Sequence, residues 1–335
     1  MTEALIIIVS LFPVFVFLSA LIFLDSFKLV NLRAVLRTIG LGCAVAVLCL
    51  FLNSRLINLL ALDLKMYARY FAPITEELFK ALYLVYSIRA GKVGFMVDAA
   101  IYGFAVGAGF ALVENVYYLV SLHSSNILLW LVRGFGTAIM HGGTTAIFGM
   151  VAKNWTERKS SEAFLNFAPA ILLAIVIHSA FNHFILPPIL TTLSLMISLP
   201  VLMLIVFEQS ERATRRWLGV GFDTDVELLD ILNTGKISET HIGQYLQTLR
   251  AHFPGEIVAD MLCLLRLHLE LAIRAKGILL MRQTGFKPST DPEIKEKFAE
   301  LRYLEKSIGK TGRLAILPFL HTSRRDLWQL YMLGK

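Results

Sequence analysis

Residues 71–83 read FAPITEELFKALY. The stretch has the length and apolar content of part of a membrane helix, yet Glu76, Glu77 and Lys80 sit in its middle. A charge at the centre of a bilayer costs at least about 2.5–3.5 kcal/mol on insertion scales. Either this segment stays out of the membrane, or its charges face a polar interior shared with other helices.

The composition favours the second reading. The chain has 335 residues, 56% hydrophobic and only 17% charged, where soluble domains carry about a quarter. Its mean hydropathy is +0.65. An α-helix needs about 20 apolar residues to cross the hydrocarbon core. Spans are predicted near 4–24, 35–53, 70–88, 94–120, 133–152, 165–186 and 189–207. The expected fold is therefore an all-α polytopic membrane bundle of about seven spans. It divides into a transmembrane domain, 1–209, and a soluble helical domain, 210–335. The N-terminal stretch lacks a basic leader region and reads as an uncleaved first helix.

The net charge of +7 is spread over both parts: residues 1–209 carry 13 Lys/Arg against 10 Asp/Glu, and 210–335 carry 19 against 15. A mixture this even in sign excludes a nucleic-acid partner and suits a bilayer with an anionic cytoplasmic face. Basic residues collect at one set of span ends, among them Lys28, Arg33, Arg37, Arg89, Lys92, Lys153, Lys159 and Arg212. The opposite ends carry Arg55, Lys65 and Arg69, with Arg133 at a border. That asymmetry predicts an N-terminus outside and a cytoplasmic C-terminal domain in a cell inner membrane. Cys43, Cys49 and Cys263 match no zinc or disulfide framework and read as small buried hydrophobes.

In the C-terminal domain, TDVE at 224–227 reads as a capping box before LLDIL. Asp291 is the expected N-cap of a helix ending at Gly309. The stretch 256–283 is nearly membrane-like, but Arg266, His268, Glu270, Arg274 and Lys276 interrupt it. It reads as a buried or partner-facing amphipathic helix, and self-association through it is one expected role.

Polar groups recur inside four consecutive spans: Glu76, Glu77 and Lys80; Glu114 and Asn115; His141; His178, Asn182 and His183. At 1.5 Å per residue, Glu76, Glu114, His141 and His178 each lie about 9–12 Å below the outer ends of their spans. Glu76 and Lys80 stand i, i+4 and are expected to pair. His178 and Asn182 share a face by the same spacing, and His183 points elsewhere. Gly103, Gly107 and Gly109 in one span, and Gly142 and Gly143 in the next, permit close helix approach around a polar pocket. Three carboxylates and one lysine leave an excess of negative charge. Either some carboxylates carry protons, or a divalent cation neutralises them, and His with Glu suits Zn²⁺.

Four patches in order resemble the PrsW family of intramembrane proteases, which is related to the glutamate-dependent proteases that trim CAAX prenyl proteins. They are EExxK at Glu76, Glu77 and Lys80; FxxxEN at Phe110, Glu114 and Asn115; a lone His141; and HxxxN at His178 and Asn182. The CAAX-trimming relatives carry His at the position of Glu114. The resemblance spans roughly residues 70–190 and implies peptide-bond hydrolysis within or beside the membrane. The family's best-known role is the first cut of a membrane-anchored anti-sigma factor near the outer face. A single-span membrane protein is the implied substrate.

Hydrolysis needs a water, a base and donors for the developing oxyanion. The expected base is Glu77 or Glu76. Glu114, His141 and His178 polarise the water, alone or with Glu77 as ligands of Zn²⁺. Asn182 donates to the oxyanion, and Phe110 and Tyr117 line the path or pack in the core. A metal-free glutamate protease is the alternative within this class. Outside it stands an ion- or proton-coupled transporter, which also uses buried Glu and His.

Overall fold

The computed structural model describes residues 3–23, 25, 30–122, 126–158, 164–286, 292–320 and 333. Lys28, Lys159 and Asp291 lie outside the described residues. Every regular element among the described residues is helical. The helices are α1 (Glu3–Phe23), α2 (Leu32–Leu60), α3 (Leu64–Met66), α4 (Ala72–Arg89), α5 (Met96–Ser121), α6 (Ile127–Leu131), α7 (Ala138–Arg158), α8 (Ala168–Asn182), α9 (Pro188–Asn233), α10 (His241–Leu249), α11 (Gly255–Gln283) and α12 (Glu293–Ile316). Two wide π turns, Tyr67–Phe71 and Val132–Thr137, lead into α4 and α7. The chain falls into two compact units, Met1–Ser210 and Glu211–Lys335.

Five described helices are long and apolar enough to cross a membrane: 4–23, 32–60, 96–121, 164–182 and 188–233. The predicted spans at 70–88 and 133–152 also fall on helices. They are not among the five, and α4 carries four charges in 18 residues.

The first unit is built around α5, in which every residue from Val97 to Ala111 is buried. Small residues make this possible, because a helix with backbone neighbours on two sides has no room for side chains there. A Cβ on Gly107 would lie 2.2 Å from the His141 carbonyl oxygen of α7, and one on Gly103 2.5 Å from that of Thr145. On the other side, Gly109 meets the Ile39 carbonyl of α2, and Gly42 meets that of Val106, each at 2.1 Å. The predicted packing glycines at 103, 107 and 109 thus set two interfaces. Gly142 and Gly143 instead face the Phe104 ring and the Leu199 side chain. Gly107→Ala is expected to force α5 and α7 apart and destabilise the protein by about 1–3 kcal/mol or more. Thermal unfolding in a fixed detergent would show it, and an unchanged midpoint would contradict the packing described.

In the second unit, α11 is the spine. Met261, Leu271, Ala275 and Leu279 are fully buried, and Leu246, Leu249, Leu301, Leu304 and Ile308 join that core. The polar interruptions of α11 find partners or solvent. Lys276 donates to buried Asp225 at 2.7 Å, Glu270 pairs with Lys297, and Arg266 stays exposed.

Two sequence expectations are corrected here, the helix start at Thr224 and the burial of all three cysteines. No helix begins at Thr224. α9 runs unbroken through it, because the Thr224 hydroxyl donates back to the Val220 carbonyl at 2.8 Å. The helix that begins at Glu293 is broken at Gly309 as expected (φ 66°, ψ −177°), and a second helical stretch follows it to Ile316. Of the cysteines, Cys49 is buried, Cys43 half-buried and Cys263 exposed.

Candidate functional site

α4, α5, α7 and α8 bring their polar residues to one place. Glu77 and Lys80 are 2% and 0% exposed, and His141 and His178 are 1% and 2% exposed. Lys80 Nζ donates to Glu77 Oε1 at 2.7 Å and lies 2.8 Å from His141 Nδ1. Lys80 was expected to pair with Glu76. The pair forms one residue nearer, at i, i+3, because Glu77 is the carboxylate that turns inward with the lysine. His178 Nδ1 lies 2.8 Å from the same Glu77 oxygen. His141 Nε2 lies 2.8 Å from Glu114 Oε2. The two imidazoles stand edge to face, 4.9 Å between centroids. Phe110 packs 4.8 Å from the His141 ring, and Lys80 Nζ lies 4.3 Å from the centroid of that phenyl.

A cavity of about 750 Å³ opens beside this cluster. Glu76, Glu114, His141, His178 and Asn182 line it, and so do Phe110 and Tyr117. Glu77 and Lys80 are not part of its wall. They stand behind the histidines and hold them.

The π turn before α4 explains where Asn182 goes. Pro73 has no N–H to return to the preceding turn, so carbonyls there need other donors. Asn182 Nδ2 donates to the Ala68 carbonyl at 2.9 Å, and Ser179 Oγ to that of Arg69 at 2.6 Å. The HSAFN patch of α8 therefore supplies both a histidine to the site and a clasp for the wide turn. Asn115, beside Glu114, faces away and donates to the Ser10 carbonyl of α1 at 2.8 Å.

Two residues of the site escaped the sequence reading. Arg133, placed at a span border, sits in the second π turn. Its guanidinium lies 3.4 Å from Glu114 Oε1 and 3.5 Å from the centroid of the Tyr118 ring. Asn53, taken as the last residue of a span ending at 53, lies well inside α2, which continues to Leu60. Its Nδ2 donates to Glu76 Oε1 at 3.2 Å. A polar Asn in an apolar stretch was the available signal, and it was hidden by a helix end set seven residues too early.

The charges now have partners. Lys80 neutralises Glu77 and Arg133 neutralises Glu114, whereas Glu76 has no Lys or Arg partner among the described residues. One ligand atom each from Glu76, His141 and His178 lies within 4.8 Å of the others. Two imidazoles and a carboxylate suit a catalytic Zn²⁺, which keeps a fourth position open. The His178 bond to Glu77 is the outer-shell carboxylate contact that such ligands ordinarily make. The donor set therefore fits a divalent metal, with Glu76 rather than Glu77 in the group.

The chain matches, over residues 31–207, the family described as PrsW family intramembrane metalloprotease. No curated protein and no solved structure matches it.

Proposed function

We propose that this chain, which belongs to the PrsW family of intramembrane metalloproteases, cuts single-span membrane proteins at the cavity bounded by Glu76, Glu114, His141 and His178. The observation that supports this is the convergence of Glu76, His141 and His178, from three separate apolar-flanked helices, to within 4.8 Å on a cavity wall. An anti-sigma factor is one substrate of the proposed class. Seven apolar stretches are consistent with seven spans of an inner membrane, the distribution of Lys and Arg supports an N-terminus outside and a cytoplasmic tail, and the depth of the polar groups along their helices supports a site toward the outer face.

In this reading Glu76, His141 and His178 hold Zn²⁺, which when bound supplies Lewis-acid polarisation of water and of the scissile carbonyl. Glu114 faces the same cavity and acts as the base. It takes the proton of the attacking water and returns it to the departing amine. Arg133, 3.4 Å from Oε1, orients Glu114. Glu77 fixes the ring of His178 through Nδ1, so that Nε2 faces the cavity side, 3.9 Å from Glu76. Lys80 sets the charge behind both histidines. Asn182 braces the wall while one of its amide hydrogens is engaged on Ala68, which leaves the second for the oxyanion.

One observation favours a metal-free variant: both nitrogens of His141 are already in hydrogen-bond contact, with Lys80 and Glu114. There Glu76 serves as the base. Protein purified without chelator and reconstituted in nanodiscs separates the two. The metal reading expects about one Zn²⁺ per chain, with cleavage abolished by chelation and restored by Zn²⁺. Full turnover by metal-free protein would establish the glutamate reading instead. No cleavage of any single-span substrate by metal-replete protein would count against both.

A further inference from the structure

Asn53 belongs to none of the four polar patches and to none of the roles above, yet among the described residues its side chain is the one that donates a hydrogen bond to Glu76. Its own orientation is held from the far side. The Tyr67 hydroxyl donates to Asn53 Oδ1 at 2.8 Å. The Thr75 hydroxyl is 2.7 Å from the same oxygen, nearer than to its two backbone acceptors at 3.0 and 3.4 Å. With Oδ1 turned to two hydroxyls, the amide N–H is left to face the carboxylate. The three helices and turns involved are distinct: Asn53 comes from α2, Tyr67 from the first π turn, and Thr75 and Glu76 from α4. An unpaired carboxylate on a cavity wall can swing, and ligating carboxylates are ordinarily hydrogen-bonded to prevent this.

We infer that Asn53 is a positioning residue for Glu76, locked by Tyr67 and Thr75 so that one carboxylate oxygen is tied back and the other is aimed at the metal position. The inference rests on the metal reading of Glu76, His141 and His178. It goes beyond that reading by adding a three-residue support from outside the four polar patches.

The test uses full-length protein in nanodiscs, stripped by chelator and titrated with Co²⁺ while its visible absorption is recorded. Asn53→Leu is expected to weaken Co²⁺ binding by about 10–100-fold, the usual effect of losing an outer-shell partner. Glu76→Gln is expected to weaken it further. If Asn53 acts through Glu76, the double variant binds no worse than Glu76→Gln alone, within about threefold, because coupled residues are not additive. Losses that multiply, or an Asn53→Leu protein that binds like wild type, would overturn the inference while leaving the metal site standing. A Glu76→Gln protein that binds like wild type would sink the metal reading and this inference together. If Asn53→Leu does not fold, Tyr67→Phe with Thr75→Val frees the amide to rotate and must weaken binding in the same direction. Unchanged binding in that variant also refutes the lock.

Discussion

Glu76→Gln protein inserts into the membrane, keeps its helical content, and cleaves its substrate at least about 10²–10⁴-fold more slowly than wild type, the range associated with losing a general base. The loss is expected in both chemical readings, since Glu76 is a metal ligand in one and the base in the other. Folding is spared because glutamine keeps the size of the side chain and an oxygen for the Asn53 N–H. Glu76 also has no Lys or Arg partner among the described residues, so neutralising it strands no buried cation. His141→Ala and His178→Ala are expected to be equally inactive. Cleavage of a single-span membrane protein by purified variants, compared at matched circular dichroism, measures this. Wild-type turnover in Glu76→Gln would remove that residue from the chemistry.

Lys80→Met is expected to fail differently, in the fold before the reaction. Lys80 is fully buried, donates to Glu77 at 2.7 Å, and lies against Phe110 and His141. Removing the ammonium leaves Glu77 as a buried charge whose remaining side-chain partner among the described residues is His178. Breaking such a pair from one side typically costs about 3–5 kcal/mol. Methionine matches the aliphatic stem, so the effect isolates the charge and not a cavity. Lys80→Met with Glu77→Gln is therefore expected to be more stable than Lys80→Met alone, a non-additivity diagnostic of a paired interaction. Thermal unfolding midpoints of the four proteins in one detergent decide it. Additive losses would mean that the two side chains do not sense each other.

The split between these outcomes follows what the sequence made legible. The helical period and the polar residues inside apolar stretches are local features, so the helices at α4, α5, α7 and α8 and their Glu and His residues could be found by counting. The partner of Lys80 could not. Glu76 and Glu77 both stand one helical turn from it, and only the packing of α4 against α7 and α8 selects Glu77. The π turns left no trace either, because a wide turn uses the same residues as an ordinary one, and the first of them is stabilised from outside, by Ser179 and Asn182 on α8. Arg133 was missed for that reason: a border position in an ideal helix becomes an inward one in a widened turn. The missing helix break at Thr224 is a related case. Its hydroxyl can cap a helix or bond one turn back, and here it bonds back within α9.

The glycine contacts along α5 also decide where the protein can yield. Gly42, Gly103, Gly107 and Gly109 put backbone against backbone, so the helices bearing Glu114 and His141 meet along seams that leave no side chain between them to rearrange. The same cavity is also lined by Phe181, Phe184 and Tyr67, whose aromatic rings are held by side-chain packing and not by backbone contact, so widening of the cavity falls to them.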